Sequence, residues 1–184
     1  MATLTSFTFV SLNGFYKDAD NGIGWHDHGG SEEAQFSSDN SQRDNILLFG
    51  RTTYEMMASF WPTPMAHESM PVVAKGINAA EKIVASRTLQ AATWNNSRII
   101  RTDLVDEVRK LKQGTKDITV LGSGSLISQL TDAGLIDAYS IMLDPLALGS
   151  GTPLFHAIQQ TLKLTLTNSR VFKSGTILLN YVPA

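Results

Sequence analysis

The stretch "TVLGSGSLISQL", residues 119–130, decides the fold prediction, because a turn with two glycines joins an apolar run to a helical pattern. Before the turn, "DITVLG" has the continuous apolar character of a strand buried on both faces. After the turn, an apolar stripe at helical spacing is formed by Leu126, Ile127, Leu130 and Ala133. A buried strand leading directly into an amphipathic helix is the repeating unit of an α/β fold.

The same alternation of strand and helix patterns extends along the chain. Further strands are predicted at residues 5–12, 45–50, 81–86, 97–101 and 137–145, and helices at 31–43, 52–60, 72–80 and 103–114. Alternating residues at 162–167 and an apolar run at 176–182, with Gly175 between them, predict a C-terminal β-hairpin. The sequence therefore predicts one α/β domain over residues 1–184, with a mainly parallel mixed sheet that ends in an antiparallel hairpin.

Local signals predict how several helices begin and are stabilised. Ser31 is expected to cap the first helix, a threonine at 52 or 53 the second, and Thr102 or Asp103 the helix at 103–114. On that last helix, Asp106 and Lys110 are expected to pair at a spacing of four. The segment 18–30, rich in glycine and aspartate, is expected to be a surface loop.

Composition excludes several classes of protein. The 184 residues are 42% hydrophobic, which is enough for one well-buried core. A net charge of -2 argues against nucleic-acid binding. The absence of cysteine removes disulfides, thiolate metal sites and cysteine nucleophiles, and it fits a reducing compartment. No signal peptide or apolar stretch approaching the ~20 residues of a membrane span is present, so we expect a soluble cytoplasmic protein without a membrane partner.

Three predicted strand ends carry residues suited to anions. In the 122–126 turn, Gly122 and Gly124 allow close backbone approach, and Ser123 and Ser125 place hydroxyls beside the first amides of the helix. Its spacing matches neither the Rossmann fingerprint nor a P-loop, so a plain turn with a serine cap is the alternative.

The other two strand ends each supply an arginine. Arg51 follows Gly50 and precedes two threonines, and its guanidinium suits a phosphate. An exposed arginine beside a capping threonine is the alternative. Ser86 and Arg87 end the next strand, where an NAD site usually has an acid, so they favour the 2′-phosphate of NADP.

A set of motifs in this order resembles the dihydrofolate-reductase-like superfamily, and most closely the C-terminal reductase domain of bacterial riboflavin biosynthesis (RibD). The motifs are "VSLNGFYKDADNGIGW", "LLFGRTTYEMM", "IVASR", "ITVLGSGSLISQL" and "IDAYSIMLDPLALGSGTPLF". The resemblance covers nearly the whole chain. It implies a three-layer fold around an eight-stranded mixed sheet, an NADP(H)-dependent reductase and a homodimer.

The resemblance also assigns site residues by their matched positions. It implies that the phosphates are held by Gly50, Arg51, Thr52 and Thr53, and the 2′-phosphate by Ser86 and Arg87. It places the pyrophosphate and nicotinamide end of the cofactor against Gly122, Ser123, Gly124, Ser125 and Leu126. The resemblance further implies that the nicotinamide is flanked by Val10, Ser11, Ile23 and Gly24.

On this basis we expect hydride transfer from NADPH to a C=N or C=O bond of a small heterocyclic substrate, as in 5-amino-6-(5-phosphoribosylamino)uracil reductase. Glu32 lies four residues before Phe36, the spacing with which folate reductases hold a pteridine, but "WHDHGG" replaces the Leu-Pro-Trp that normally precedes that helix. Glu32 or Asp20 is the candidate proton donor, with ordered water as the alternative. A pterin or dihydrofolate reductase and a non-catalytic NADP-binding module are the alternative functions.

The remaining candidates are aromatic and polar residues near strand ends. Trp25 and Trp61 could stack on a flat substrate ring, although core packing is favoured for Trp61. Asp144 is assigned to the substrate side, with a strand-stopping Asp-Pro as the alternative. His26 and His28 could bind a metal with a third ligand, but solvated side chains are favoured, and no metal is assigned.

Overall fold

The structure is a computed structural model, and it describes residues 1–26 and 30–184. Its strands are β1 (Leu4–Ser11), β2 (Phe15–Asp18), β3 (Ile46–Gly50), β4 (Glu81–Ala85), β5 (Ser97–Ile100), β6 (Ile118–Val120), β7 (Ala138–Asp144), β8 (Gly151–Pro153), β9 (Leu164–Val171) and β10 (Ile177–Pro183). Its helices are α1 (Ser31–Ser41), α2 (Arg51–Phe60), α3 (Pro64–Ser69), α4 (Pro71–Ala79), α5 (Leu104–Lys112) and α6 (Gly124–Asp132).

Eight strands form the central sheet, in the order β5-β4-β3-β6-β1-β7-β10-β9. The first six are mutually parallel, whereas β10 runs antiparallel to both β7 and β9. This arrangement confirms the prediction of a mainly parallel mixed sheet with a C-terminal antiparallel hairpin. All six parallel strands end at the same edge of the sheet.

Two helical layers cover the two faces of the sheet. On β3, Ile46 and Leu48 point to the face covered by α5 and α6, while Leu47 and Phe49 point to the other face, because strand side chains alternate. That other face is covered by α2, α3 and α4 over β3 and β4, and by α1 over β1 and β7. The three-layer α/β fold is therefore confirmed.

Two short elements and one helix were not predicted from the sequence. β2 and β8 pair with each other as a separate antiparallel ribbon. They have four and three residues, too few for a periodic pattern to be recognised. α3 has six residues and is capped by Thr63, whose side chain accepts a hydrogen bond from the Ala66 amide.

Several predicted caps and pairs were wrong. The cap position of α1 is Gly30, one residue before the expected Ser31. The cap position of α2 is Gly50, which also precedes the expected threonine at 52 or 53. In α1 the Gly30 amide donates to the Glu33 carboxylate, so a residue inside the first turn replaces the serine cap.

The cap of α5 was predicted correctly but its ion pairs were not. The Asp103 side chain accepts from the amides of the first turn, as expected. Lys110 pairs with Glu107 at 2.9 Å and Arg109 with Asp106 at 3.1 Å, so the pairs have a spacing of three. Within residues 1–26 and 30–184, no helix is long and apolar enough to cross a membrane.

Candidate functional site

The candidate site lies at the edge of the sheet where the parallel strands end. β4, β3 and β6 are neighbours, and Gly50 at the end of β3 pairs with Ala85 at the end of β4. The three predicted anion-binding stretches, at residues 50–53, 86–87 and 122–126, therefore lie next to one another. Ligands of open α/β sheets bind at this edge, because helices begin there and present unpaired amides.

The end of β3 touches the turn that follows β6. The Gly50 amide donates to the Gly122 carbonyl at 2.9 Å, and a Cβ atom on Gly50 would lie 2.9 Å from the Ser123 hydroxyl. Gly122 has φ +118°, and a Cβ there would lie 3.1 Å from the Thr53 hydroxyl. The Gly122–Ser123 peptide bond is cis. Glycine is favoured at both positions, because Gly122 has a positive φ and a Cβ on Gly50 would force the Ser123 side chain to shift.

The two serines of the turn do not cap α6. Ser123 is the cap residue, but its side chain makes no capping hydrogen bond. Its hydroxyl instead lies 2.7 Å from the hydroxyl of Ser125. The alternative of a plain turn with a serine side-chain cap is therefore wrong, and both hydroxyls lie together beside the first turn of the helix.

Tyr16, which sequence reasoning did not assign to the site, covers this helix end. Burial raises the pKa of the Tyr16 phenol, and a hydrogen bond from the Gly124 amide opposes that rise. A Cβ on Gly124 would lie 2.7 Å from the Tyr16 ring. No sequence signal marked Tyr16, because its position depends on the unpredicted β2–β8 ribbon.

Arg51 connects the first turn of α2 to the segment after β4. Its guanidinium donates to Glu55 at 3.0 Å and to the Thr88 hydroxyl at 2.9 Å, and it is half exposed. The Ser86 hydroxyl accepts from the amides of Thr88 and Leu89, so Ser86 shapes the turn. Arg87 is exposed within this turn.

The threonines after Gly50 have different surroundings. Thr52 is exposed, whereas the Thr53 hydroxyl faces Gly122. Neither threonine caps α2, because the helix already begins at Arg51 and makes no side-chain cap bond. Thr53 therefore lines the gap between the ends of β3 and β6.

The ends of β1 and β7 form the next part of the edge. Ser11 is opposite Asp144 in the parallel register, and its hydroxyl donates to Asn13 at 2.8 Å and accepts from the Phe15 amide at 3.0 Å. Ile23 accepts a backbone hydrogen bond from His26 at 3.0 Å. The residues matched to the nicotinamide end of the cofactor thus lie around the end of β1.

His26 and Asp144 form a buried pair at this point. The His26 Nδ1 atom lies 3.0 Å and 2.9 Å from the two carboxylate oxygens of Asp144. The exposed fraction is 8% for His26 and 2% for Asp144. The expectation of solvated histidines is therefore wrong for His26, because the long-range contact to Asp144 was not readable from sequence; His28 lies outside the described residues.

The carboxylates of α1 are bonded to other parts of the protein. Glu33 is buried and accepts from the Ser174 hydroxyl and the Gly30 amide. Glu32 accepts from the Lys173 amide at 3.3 Å and lies 3.4 Å from the Lys173 ammonium. Burial raises the pKa of Glu33, but its hydrogen bonds and the charge of Arg170 outweigh that effect and lower it.

Two other predicted site residues, Trp61 and Asp20, have different surroundings. Trp61 follows α2 and packs in the buried cluster with Phe49 and Trp94, about 15 Å along the helix from Arg51 at 1.5 Å per residue. Asp20 is exposed in a turn, where its amide donates to the Asp18 carboxylate. Trp25 lies beside His26, with ring centroids 6.3 Å apart.

An apolar cavity of about 340 Å³ lies on the face of the sheet opposite to the His26–Asp144 pair. Val10 and Ile141 line it together with residues 153–156. Because side chains alternate along β1 and β7, this cavity does not include His26 or Asp144. In the described part of the chain, no three His, Asp or Glu side chains are grouped closely enough to hold a metal ion.

Comparisons with known proteins agree with this architecture. The profile of the RibD C-terminal domain matches residues 2–178. The uncharacterized protein YyaP of Bacillus subtilis (strain 168) is 30% identical over 173 residues, which are 94% of this chain and 90% of that protein. A putative riboflavin biosynthesis protein from Shewanella sp. PV-4 superposes with a TM-score of 0.75 at 22% identity, covering 100% of this chain and 99% of that one.

Two further solved structures share the fold at lower identity. Dihydrofolate reductase from Enterococcus faecalis, solved with NADP(H), has a TM-score of 0.66 at 14% identity over 98% of this chain and 96% of that one. A deaminase and 5-amino-6-(5-phosphoribosylamino)uracil reductase from Thermotoga maritima has a TM-score of 0.67 at 14% identity, and all of this chain covers 57% of it. Since the family profile spans nearly the whole chain and the fold is the one these reductases share, the protein belongs to the RibD C-terminal domain family, a family of reductases.

Proposed function

We propose that this protein is an NADPH-dependent reductase that transfers a hydride to a C=N or C=O bond of a small heterocyclic substrate of the aminopyrimidine class. The observation that supports this proposal is the meeting of three neighbouring strand ends, which groups Arg51, Arg87 and the 122–126 turn at one edge. The reductase named in the Thermotoga maritima protein provides the chemical precedent for the substrate.

The residues at this edge fit a dinucleotide. Because Gly50, Gly122 and Gly124 have no Cβ, Ser123, Thr53 and Tyr16 pack closely against them, so the backbone amides of these segments are grouped at one edge. The beginning of α6 adds the positive end of a helix dipole. When bound, the reduced nicotinamide supplies the hydride, and the protein supplies binding, orientation and electrostatics.

The two arginines have different roles in this proposal. Arg51 is held by Glu55 and Thr88, so its guanidinium is already oriented when an anion arrives. Arg87 and Ser86 lie at the end of β4, where serine and arginine suit a 2′-phosphate. The preference for NADPH over NADH then depends chiefly on Arg87.

The α1 carboxylates argue against a pterin substrate. A pteridine would need a carboxylate that is free to accept from its ring, but Glu33 is bonded to Gly30 and Ser174 and Glu32 to Lys173. Using Glu33 would break its bonds and leave the Gly30 and Ser174 donors unsatisfied, whereas Glu32 would give up only its contacts with the exposed Lys173. An aminopyrimidine that does not require this carboxylate fits better.

The cofactor preference can be tested by titrating NADPH and NADH against wild type, Arg87→Ala and Arg109→Ala. Arg109 is an exposed arginine on α5, where it pairs with Asp106, and it serves as the matched control. We expect tighter binding of NADPH than NADH by wild type, and Arg87→Ala should weaken NADPH alone by about tenfold or more. Equal affinities in wild type would contradict the preference for NADPH.

Turnover is tested separately, by NADPH oxidation with a panel of ribosylaminopyrimidines, pterins and dihydrofolate. Oxidation with an aminopyrimidine member supports the proposal, and oxidation with dihydrofolate alone supports the folate alternative. Binding of NADPH without turnover on every member would instead identify a non-catalytic binding module.

A further inference from the structure

The buried pair His26 and Asp144 takes no part in the phosphate-binding role proposed for Arg51, Arg87 and the 122–126 turn. We propose that His26, oriented by Asp144, donates the proton that the substrate heteroatom takes up when the neighbouring carbon is reduced. This inference rests on the proposed reductase function and adds the proton donor, which the sequence had assigned to Glu32 or Asp20.

Contacts on several sides fix the orientation of the imidazole. Both oxygens of Asp144 lie within 3.0 Å of Nδ1, and the ring stacks on Phe9 with centroids 3.7 Å apart and planes at 26°. Trp25 meets the ring edge-on at 78°. Asp144 occupies Nδ1, so the proposal assigns the exchange of a proton with the substrate to the other ring nitrogen, Nε2.

The pair also lies where a reacting ring would be held. Asp144 is opposite Ser11 at the shared carboxyl ends of β7 and β1, and β1 is the neighbour of β6, whose following turn contains Gly122. The His26 amide is bonded to Ile23, in the segment matched to the nicotinamide. The imidazole is therefore beside the end of the site where hydride transfer is expected.

The step balances with the cofactor that the proposed function already names. The hydride carries an electron pair from the reduced nicotinamide to the carbon of the C=N or C=O bond, and that π pair moves to the heteroatom. The heteroatom forms a bond to the Nε2 proton of the imidazolium, whose N–H electron pair stays on the ring. The neutral imidazole then regains a proton from solvent.

Other charged groups on this face are less suitable donors. Asp144 faces His26 from β7, and α1 contributes Glu32 and Glu33. The hairpin between β9 and β10 supplies Arg170 and Lys173, which lie with those two glutamates. Glu33 has a lowered pKa, so it is ionised at neutral pH and cannot donate a proton.

The test compares wild type with His26→Gln, Asp144→Asn and His67→Gln, using the substrate that wild type reduces. His67 is an exposed histidine on α3 and serves as the control. The rate of hydride transfer is followed from pH 5.5 to 9, and NADPH affinity is measured by fluorescence. Histidine titrations are recorded by NMR on NADP⁺-bound protein labelled with nitrogen-15, with His26 identified by its absence in His26→Gln.

We expect the wild-type rate to fall as pH rises, in step with the loss of the His26 proton in the NMR titration. His26→Gln should lower kcat about 10²- to 10⁴-fold and remove this pH dependence, while NADPH affinity stays within about twofold. Asp144→Asn should also lower kcat and alter the His26 titration, because the ring loses the partner that fixes its tautomer. The control should behave as wild type.

Two results would overturn the inference, and they can be told apart. If wild type oxidises NADPH but His26→Gln keeps its rate and pH profile, the proton comes from elsewhere and the reductase function stands. If wild type binds no NADPH, the proposed function fails and this inference fails with it. Should His26→Gln not fold, the wild-type comparison of rate and NMR titration still decides, because a mismatch between the two contradicts the proposal.

Discussion

The Tyr16 phenol accepts a hydrogen bond from the amide of Gly124, so the β2–β8 ribbon is tied to the beginning of α6. That amide belongs to the 122–126 turn, where the proposed function places a pyrophosphate. Tyr16 and the cofactor would therefore compete for the same donor.

Tyr16→Phe removes only the competing hydroxyl. We expect NADPH to bind a few-fold more tightly, because the Gly124 amide becomes available to phosphate, and the unliganded protein to lose about 1 kcal/mol of stability. Fluorescence titration and urea unfolding measure the two effects. Tyr181→Phe on β10 is the control, and weaker NADPH binding by Tyr16→Phe would contradict the competition.

Gly122→Ala tests the contact between the ends of β3 and β6. A side chain at φ +118° and 3.1 Å from the Thr53 hydroxyl should cost about 1–3 kcal/mol of unfolding free energy and weaken NADPH binding. Gly149 has open space around it, so Gly149→Ala should change stability by less than about 0.5 kcal/mol. Equal stabilities of the two variants would show that the strand ends tolerate separation.

Glu33→Gln tests the bonds that hold the start of α1. The pKa of Glu33 is lowered in the folded protein, so its stabilising effect is present above the ordinary carboxyl value of 4.5 and is lost as pH falls through the folded-state value. We expect the variant to lose about 1–2 kcal/mol at pH 7 and to show a smaller further loss in acid. Urea unfolding at pH 7 and pH 3.5 measures these losses of stability. Glu32→Gln, at a partly exposed residue, is the control and should have the stability of wild type at both pH values.

Lys82 gives a pH dependence of the same sign, but at alkaline pH. Burial lowers its pKa to about 8, and its ammonium donates to the carbonyls of Asn78, Ala80 and Asn95. Between that pKa and the ordinary lysine pKa of 10.5, the unfolded chain binds a proton that the folded protein has lost, so unfolding free energy should rise with pH. The rise should be absent in Lys82→Met and present in Lys75→Met, which changes an exposed lysine on α4; a rise that persists in Lys82→Met would assign it to another group.

Much of the fold was readable from sequence because the buried strands have strong patterns. "ILLFG" at β3 and the stripe of α6 are apolar over their whole length or at every helical turn, so strand and helix could be told apart. β2 and β8 were missed because their stability comes from pairing with each other and not from a local pattern. The helix starts were misplaced because glycines occupy the cap positions of α1 and α2.

The candidate site was also predictable only in part. Arg51 and the 122–126 turn follow predicted strands, so sequence order alone indicated that they would meet at one edge. The pairing of His26 with Asp144 joins a loop to the end of a distant strand, and no spacing rule reveals such a contact. Sequence also could not show that Glu33 and Glu32 bond to the β9–β10 hairpin, because that depends on how α1 packs on the sheet.

The hydrogen bond between Gly50 and Gly122 also bears on how the chain folds. It joins strand ends that are distant in sequence, and β6 reaches its place only after the crossovers that bring it between β3 and β1. Such non-local pairings form slowly, so binding of the proposed cofactor should not precede the formation of the sheet. Dinucleotide binding during refolding would thus report the completed sheet, and excess cofactor at 100 times its Kd would favour the native state by about 2.7 kcal/mol.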